Sequence, residues 1–196
     1  MLRGVYFITD SKFGDHEEMV KKALELGIRI IQFREKRIKD RERYFIAKKL
    51  REIIDCYDAL FIVNDRVDIA IAVDADGVHL GQEDLPIEVV REIFDGLIGI
   101  SVHNVEEARK AKNADYVGVG PIFRTTTKED ARNEIGIPGL IEIMKELTIP
   151  VFAIGGINIK NVVEVLKCGV SGVAVVSAVA GDGAKDFVDT VKKYLK

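Results

Sequence analysis

The sequence predicts a single (β/α)8 TIM barrel over residues 1–196, and three observations carry that prediction. Eight short runs rich in valine and isoleucine recur along the chain, with stretches of helical periodicity between them. The runs are continuously apolar rather than alternating, as in parallel strands covered on both faces. At 196 residues the chain can bury one sizeable core but not two comfortable ones. The rival architecture, a doubly wound open sheet, has fewer strands and a glycine-rich first turn, which ITDSKFGD (8–15) is not.

The elements follow in order. GVYFITD (4–10) reads as the first strand. In the helix after it, Asp15 is a cap, Glu17 and Glu18 occupy the first turn, and Gly27 is the stop. IRIIQFR (28–34) is the second strand. KDRERYFIAKKLREIID (39–55) places Ile46, Leu50, Ile53 and Ile54 at i, i+4, i+7 and i+8, one apolar stripe on a charged helix. ALFIVND (59–65) is followed by a short helix in RVDIAIAVDA (66–75). DGVHLG (76–81), LIGISV (97–102) and YVGVGP (116–121) are the next three strands, and PVFAIGG (150–156) is the seventh. In NIKNVVEVLKCG (158–169), Asn158 is the expected cap, Val162, Val163 and Leu166 face inward, and Gly169 ends the segment. SGVAVVSA (171–178) is the eighth strand, and the last helix runs through DFVDTVKKYL (186–195).

Composition narrows the function. The chain is 47% apolar and 31% charged with a formal net charge of −3, so it has no field that recruits nucleic acid or an anionic membrane. An anion must be held by a local cluster. Cys56 and Cys168 lack metal-ligand spacing and read as reduced core thiols in a reducing compartment. MLRGVYFITD reaches strand-like sequence at once, leaving no room for a signal peptide, and no apolar run approaches the ~20 residues of a membrane span. The expected location is cytoplasmic. Abundant Lys and Glu with only Gln32 and Gln82 as glutamines point to heat adaptation.

In a barrel of this kind the chemistry lies where strands end and loops begin. Just past the strands stand Thr9 and Asp10; Gln32, Arg34 and Lys36; Asn64 and Asp65; Gln82, Glu83 and Asp84; Ser101 and His103; Thr125, Thr126, Thr127 and Lys128; Gly155 and Gly156; and Ser177. The opposite ends are plain. Eight polar clusters converging on one mouth predict a site. Arg34, Lys36 and Lys128 suit a polyanion, whereas Asp65 and Asp84 repel one. A Mg2+ ion resolves that conflict, because it is held by one or two carboxylates plus substrate phosphates. A surface ion-pair network, such as Asp65 with Arg66, is the competing explanation. GGI (155–157) and VSA (176–178) mark a second anion site, where a barrel commonly holds a monophosphate.

The three histidines are dispersed and make no zinc site or nucleophilic triad. His16 is expected on an exposed helix face, and His79 as a hydrogen-bonded residue of the barrel. His103, near the mouth, either touches substrate or caps the fifth helix.

QFREK (32–36), NDRVDIA (64–70), DADGVHLGQED (74–84), GISVHN (99–104), GPIFRTTTK (120–128), AIGGI (153–157) and VVSA (175–178) together resemble the thiamine-phosphate synthase family over essentially the whole chain. The resemblance implies a transferase that joins a pyrimidine pyrophosphate to a thiazole phosphate. The bond to pyrophosphate breaks first, and the thiazole nitrogen captures the cation. It further implies that Gln32, Arg34, Lys36, Asn64, Ser101 and Lys128 hold the pyrimidine pyrophosphate, with Arg34, Lys36, Lys128 and Ser101 as the catalytic set. Asp65 and Asp84 take Mg2+. Thr125, Thr126 and Thr127 border the thiazole, whose phosphate is gripped by Gly156, Val176 and Ser177.

The stretch 123–135 is the candidate lid, and EDARNEIG (129–136) is unexpectedly acidic beside two anions. The compact N-terminus leaves oligomerisation surfaces, and so a homo-oligomer, open. Two other readings compete. A thiazole tautomerase of the same superfamily needs an acid–base group where this chain has Pro121, which transfers no proton. A non-catalytic thiamine-phosphate-binding regulator would not need the metal and pyrophosphate residues.

Overall fold

A computed structural model describes residues 2–125, 133–181 and 183–195. Eight parallel strands lie side by side in chain order: β1 (Gly4–Ile8), β2 (Ile30–Phe33), β3 (Leu60–Asn64), β4 (Gly77–Leu80), β5 (Leu97–Val102), β6 (Tyr116–Val119), β7 (Val151–Ile154) and β8 (Gly172–Val175). β8 pairs with β1, Val5 opposite Val173 and Tyr6 opposite Ala174, so the sheet closes on itself. Among the described residues the helices are α1 (His16–Glu25), α2 (Asp40–Asp55), α3 (Val67–Ala72), α4 (Ile87–Ile93), α5 (Val105–Lys110), α6 (Gly136–Met144), α7 (Val162–Leu166), α8 (Ser177–Ala180) and α9 (Ala184–Tyr194). The predicted (β/α)8 barrel is the observed fold, and each of the eight strand segments contains a strand.

Strand alternation divides the apolar residues into two cores. Val5 and Phe7 of β1 face the helices, while Tyr6 and Ile8 face the barrel axis with Ile30, Ile62, Phe152 and Ala174. Because both sets are buried, the strands show no polar alternation, which is why they read as continuously apolar.

The helix ends follow the caps. Asp15 Oδ1 accepts the Glu17 and Glu18 N–H groups at 2.9 and 3.1 Å, satisfying donors that have no partner inside α1. Gly27 follows with φ +79°, a left-handed position that favours glycine. On α2, Leu50 and Ile54 are buried with Ala47 and Arg43, whereas Ile46 and Ile53 are only half-buried. The inward stripe is rotated slightly from the expected one.

Three expectations fail. Neither cysteine is a core thiol, since Cys56 is exposed and Cys168 half-buried near the ends of α2 and α7. Asn158 does not cap α7: it accepts the Lys160 N–H at 2.9 Å inside a turn, and the helix begins four residues later at Val162. The inward residues are therefore Val162, Val165 and Leu166, while Val163 is exposed. His16 is buried, not exposed. Its Nδ1 is 2.8 Å from Thr9 Oγ1 and its Nε2 3.1 Å from Glu35 Oε2. One turn of amphipathic spacing does not reveal that a neighbouring loop covers it.

At the strand entrances, side chains clip one strand to the next. Asp76 Oδ2 accepts the Phe61 N–H at 2.6 Å and Arg51 Nη1 at 2.7 Å. Asp115 Oδ2 likewise accepts the Ile98 N–H and Arg91 Nη2, both at 2.7 Å. Ser171 Oγ accepts the Val151 N–H at 3.3 Å. Among the described residues no helix is long and apolar enough to cross a membrane.

Candidate active site

The strand exits surround a cavity of about 290 Å3. Arg34, Lys36, Asn64, Asp65, Asp84 and Ser101 line it, and so do Thr125, Gly156, Val176 and Ser177. The structure thus brings together residues from seven strand exits separated by up to 143 positions in sequence (Arg34 to Ser177). Gln32 is not on this wall. It is buried inside the barrel, and its Nε2 donates to the Tyr6 hydroxyl at 2.6 Å. Thr126, Thr127 and Lys128 lie outside the described residues, as do residues 126–132 of the expected lid and the start of the acidic segment.

The arm after β2 alternates its side chains. Arg34 and Lys36 reach the cavity, and Glu35 between them turns the other way. Arg34 Nη1 donates to Asp10 Oδ2 at 2.8 Å, which fixes the guanidinium against the exit of β1. Glu35 anchors the arm: its Oε1 accepts the Arg37 N–H at 2.7 Å, and its carbonyl accepts Arg43 Nε at 3.0 Å. Burial pushes the Glu35 carboxyl up, but hydrogen bonds from Ser11, the Arg37 N–H and His16 outweigh it and hold the group below its ordinary range.

Asp65 directly follows β3 with φ +61°, its N–H donating to the His79 carbonyl at 2.8 Å. Asp84 is oriented by the Gly81 N–H, which donates to its Oδ2 at 2.6 Å. Burial, and then the charge of Asp84, push the Asp65 carboxyl up; Lys36, with Nζ 3.4 Å from Asp65 Oδ2, only partly opposes them. A carboxylate whose proton affinity is raised by burial and by the neighbouring charge of Asp84, with the half-exposed Lys36 beside it, belongs to an under-neutralised pair. The competing ion pair of Asp65 with Arg66 does not form. Arg66 is taken by Asp40 and by Asp68, the latter at 2.6 Å.

Across the cavity, Gly155 and Gly156 have φ of +98° and +65°. A β-carbon on Gly156 would fall 2.7 Å from the Arg124 carbonyl oxygen, so only glycine lets the two loops touch. Asn158 and Asn161 side chains donate to the Gly156 carbonyl at 3.2 and 3.0 Å and hold that turn.

His79 also lines the cavity. It is the expected hydrogen-bonded residue of the barrel and, beyond that expectation, part of the cavity wall. Its Nδ1 is 3.2 Å from the Tyr116 hydroxyl and its Nε2 3.0 Å from Ser101 Oγ. His103 lines the cavity too, with Nδ1 2.8 Å from Glu107 Oε2, while Asn104 performs the capping of α5. Gln82, a member of the β4 exit cluster, donates its Nε2 hydrogen to the Ser101 carbonyl at 2.6 Å. Among the described residues no group of three or more His, Cys, Asp or Glu is placed to hold a metal ion.

Comparison with known proteins matches residues 5–179 to the thiamine monophosphate synthase family. The chain is 54% identical over 197 residues to a thiamine-phosphate synthase of Archaeoglobus fulgidus, covering 97% of this chain and 94% of that one. It is 56% identical over 180 residues to a thiamine-phosphate synthase of Pyrococcus furiosus, covering 90% and 86%. A solved thiamine phosphate pyrophosphorylase from Pyrococcus furiosus superposes with TM-score 0.89 at 46% identity, over 99% of this chain and 96% of that one. A 3-hexulose-6-phosphate synthase, at 14% identity and TM-score 0.68, shares the fold alone. With that match running from β1 into α8, and relatives more than half identical in sequence, the chain belongs to the thiamine monophosphate synthase family and is a transferase.

Proposed function

We propose that the protein condenses a hydroxymethylpyrimidine pyrophosphate with a thiazole phosphate to give thiamine phosphate and pyrophosphate. The observation that carries this reading is that two polar sets line one cavity from different arcs of the barrel, the exits of β2–β5 and those of β7–β8. Arg34, Lys36, Asn64, Ser101, Asp65 and Asp84 form one side, and the glycine turn with Val176 and Ser177 forms the other.

The under-neutralised pair of Asp65 and Asp84 fits a divalent cation held by two carboxylates and by substrate oxygens. When bound there, Mg2+ supplies positive charge to the departing pyrophosphate. The chain's own residues do the rest. The carbon–oxygen bond to the pyrimidine methylene breaks with its electron pair leaving on pyrophosphate. Arg34 and Lys36 lie where that charge accumulates, and a fixed donor of this kind lowers a barrier by about 3–4 kcal/mol. The thiazole nitrogen then gives its lone pair to the methylene carbon, forming the carbon–nitrogen bond. Gly156, Val176 and Ser177 hold the thiazole phosphate so that this nitrogen faces the carbon. Lys128, Thr126 and Thr127 complete the two halves in this reading, with Thr125 on the described wall.

Pro121 on the cavity wall supports the synthase over a tautomerase, since it offers no proton at that point. The test is to supply both substrates with Mg2+ and to measure thiamine phosphate and pyrophosphate together. Equal amounts of the two are expected. Turnover of the thiazole alone would favour the tautomerase, and tight binding without products would favour a regulator.

A further inference from the structure

Beneath the cavity a line of polar side chains crosses the otherwise apolar barrel interior. Gln32 Nε2 donates to the Tyr6 hydroxyl at 2.6 Å, and the Tyr6 and Tyr116 hydroxyls are 2.8 Å apart. The Tyr116 hydroxyl is 3.2 Å from His79 Nδ1, and His79 Nε2 is 3.0 Å from Ser101 Oγ. His79 and Ser101 border the cavity; Gln32, Tyr6 and Tyr116 do not. The barrel makes room for this line. A β-carbon on Gly99 would fall 2.1 Å from the Tyr116 ring, and one on Gly118 would fall 3.2 Å from His79 Cε1. The Tyr6 ring packs edge-on against Tyr116 and Phe152, with centroids 5.8 and 5.3 Å away. Phenylalanines would fill the same space without burying hydroxyls, so packing alone does not account for the line.

The line has a direction. Burial pushes the ionisation of both phenols up, so each keeps its single hydrogen. Tyr6 receives a hydrogen from Gln32, and Tyr116 is its other hydrogen-bond partner among the described residues. The Tyr6 hydrogen therefore goes to Tyr116, and the Tyr116 hydrogen goes to His79 Nδ1. A neutral His79 then carries its own hydrogen on Nε2 and donates it to Ser101 Oγ. The Ser101 hydrogen is left for the cavity.

We propose that Tyr6, Tyr116 and His79 are positioning residues that lock Ser101 as a hydrogen-bond donor aimed at the substrate pyrophosphate. The ligand named rests on the function proposed above; the direction of the line does not. A serine hydroxyl left to rotate offers a lone pair as readily as a hydrogen. One held by a directed line is oriented before the anion arrives, so no reorganisation is needed during bond breaking.

Two measurements test this on the purified full chain. In protein labelled with nitrogen-15 at histidine, without substrate, His79 is expected to carry its proton on Nε2. Tyr116→Phe is expected to let the Nδ1-protonated form appear. A proton on Nδ1 in the unsubstituted protein reverses the line and overturns the proposal, whether or not the protein turns over. In the Mg2+-dependent assay, Tyr116→Phe is expected to lower kcat about tenfold while KM stays within about twofold. In a Ser101→Ala background the same substitution is expected to cost nothing further. Multiplicative losses would show that Tyr116 acts through packing and would overturn the proposal. If Tyr116→Phe melts early because the Tyr6 hydrogen is orphaned, the Tyr6→Phe/Tyr116→Phe pair removes both hydroxyls and is read in the same way. Absence of any condensation by the unsubstituted protein would sink the synthase reading and leave the proton position as the judge of the line.

Discussion

Lys36 and Asp65 meet across the exits of adjacent strands, Nζ to Oδ2 at 3.4 Å, yet the pair is unbalanced because Asp84 adds a second negative charge beside it. Lysine and the proposed cation therefore compete for the same carboxylate. Lys36→Ala is expected to have opposite effects on two readouts. The Mg2+ concentration that raises the melting temperature should fall, while turnover drops about 100-fold through loss of a pyrophosphate donor. A parallel weakening of both would show that Lys36 helps to build the cation site.

Asp65→Asn and Asp84→Asn are expected to lower turnover by about 100-fold or more, and to abolish the Mg2+-dependent rise in melting temperature. Neither should unfold the barrel. An asparagine oxygen at position 84 can still accept the Gly81 N–H that orients the present side chain. Unaltered Mg2+ dependence in both variants would remove the cation from this pair.

Gly156→Ala places a methyl group against the Arg124 carbonyl in a backbone conformation with φ +65°. The turn must move, and KM for the thiazole phosphate is expected to rise about tenfold or more with little change in KM for the pyrimidine partner. Equal rises for both substrates would contradict the division of the cavity.

The hydrogen bonds that Glu35 accepts from Ser11, the Arg37 N–H and His16 give the acid limb of stability a specific source. The folded protein holds the Glu35 carboxyl below its ordinary 4.5, so its contribution is fully present above that value and is lost as pH falls through the depressed one. Glu35→Gln is expected to lower the urea midpoint by a constant amount near neutral pH, with the gap closing below about pH 4.5. A gap that stayed constant to pH 3 would mean the charge of Glu35 is not what stabilises the arm.

The barrel was legible because parallel strands buried on both faces leave an unbroken apolar signature, as in Ile30–Phe33 and Tyr116–Val119. The exits were legible because each strand places its polar residues at a known end. What escaped were contacts made across the barrel. Nothing local marks His16 as covered by Glu35, or Gln32 as turned under the cavity rather than into it. The tyrosines at 6 and 116 are 110 positions apart, and each reads alone as an ordinary aromatic in an apolar run. A polar tip on a strand residue that faces the axis is the one signal that could have found them.

The clips at the strand entrances have an evolutionary consequence. Asp76, Asp115 and Ser171 tie neighbouring strands together on the face remote from the cavity. Rigidity is thus anchored at one pole, and the loops of the other pole are free to diverge in length and chemistry without loosening the cylinder beneath them. The two ends of such a molecule are thus constrained for separate reasons, the rim by what it must recognise and the remote pole by the need to keep the staves hooped.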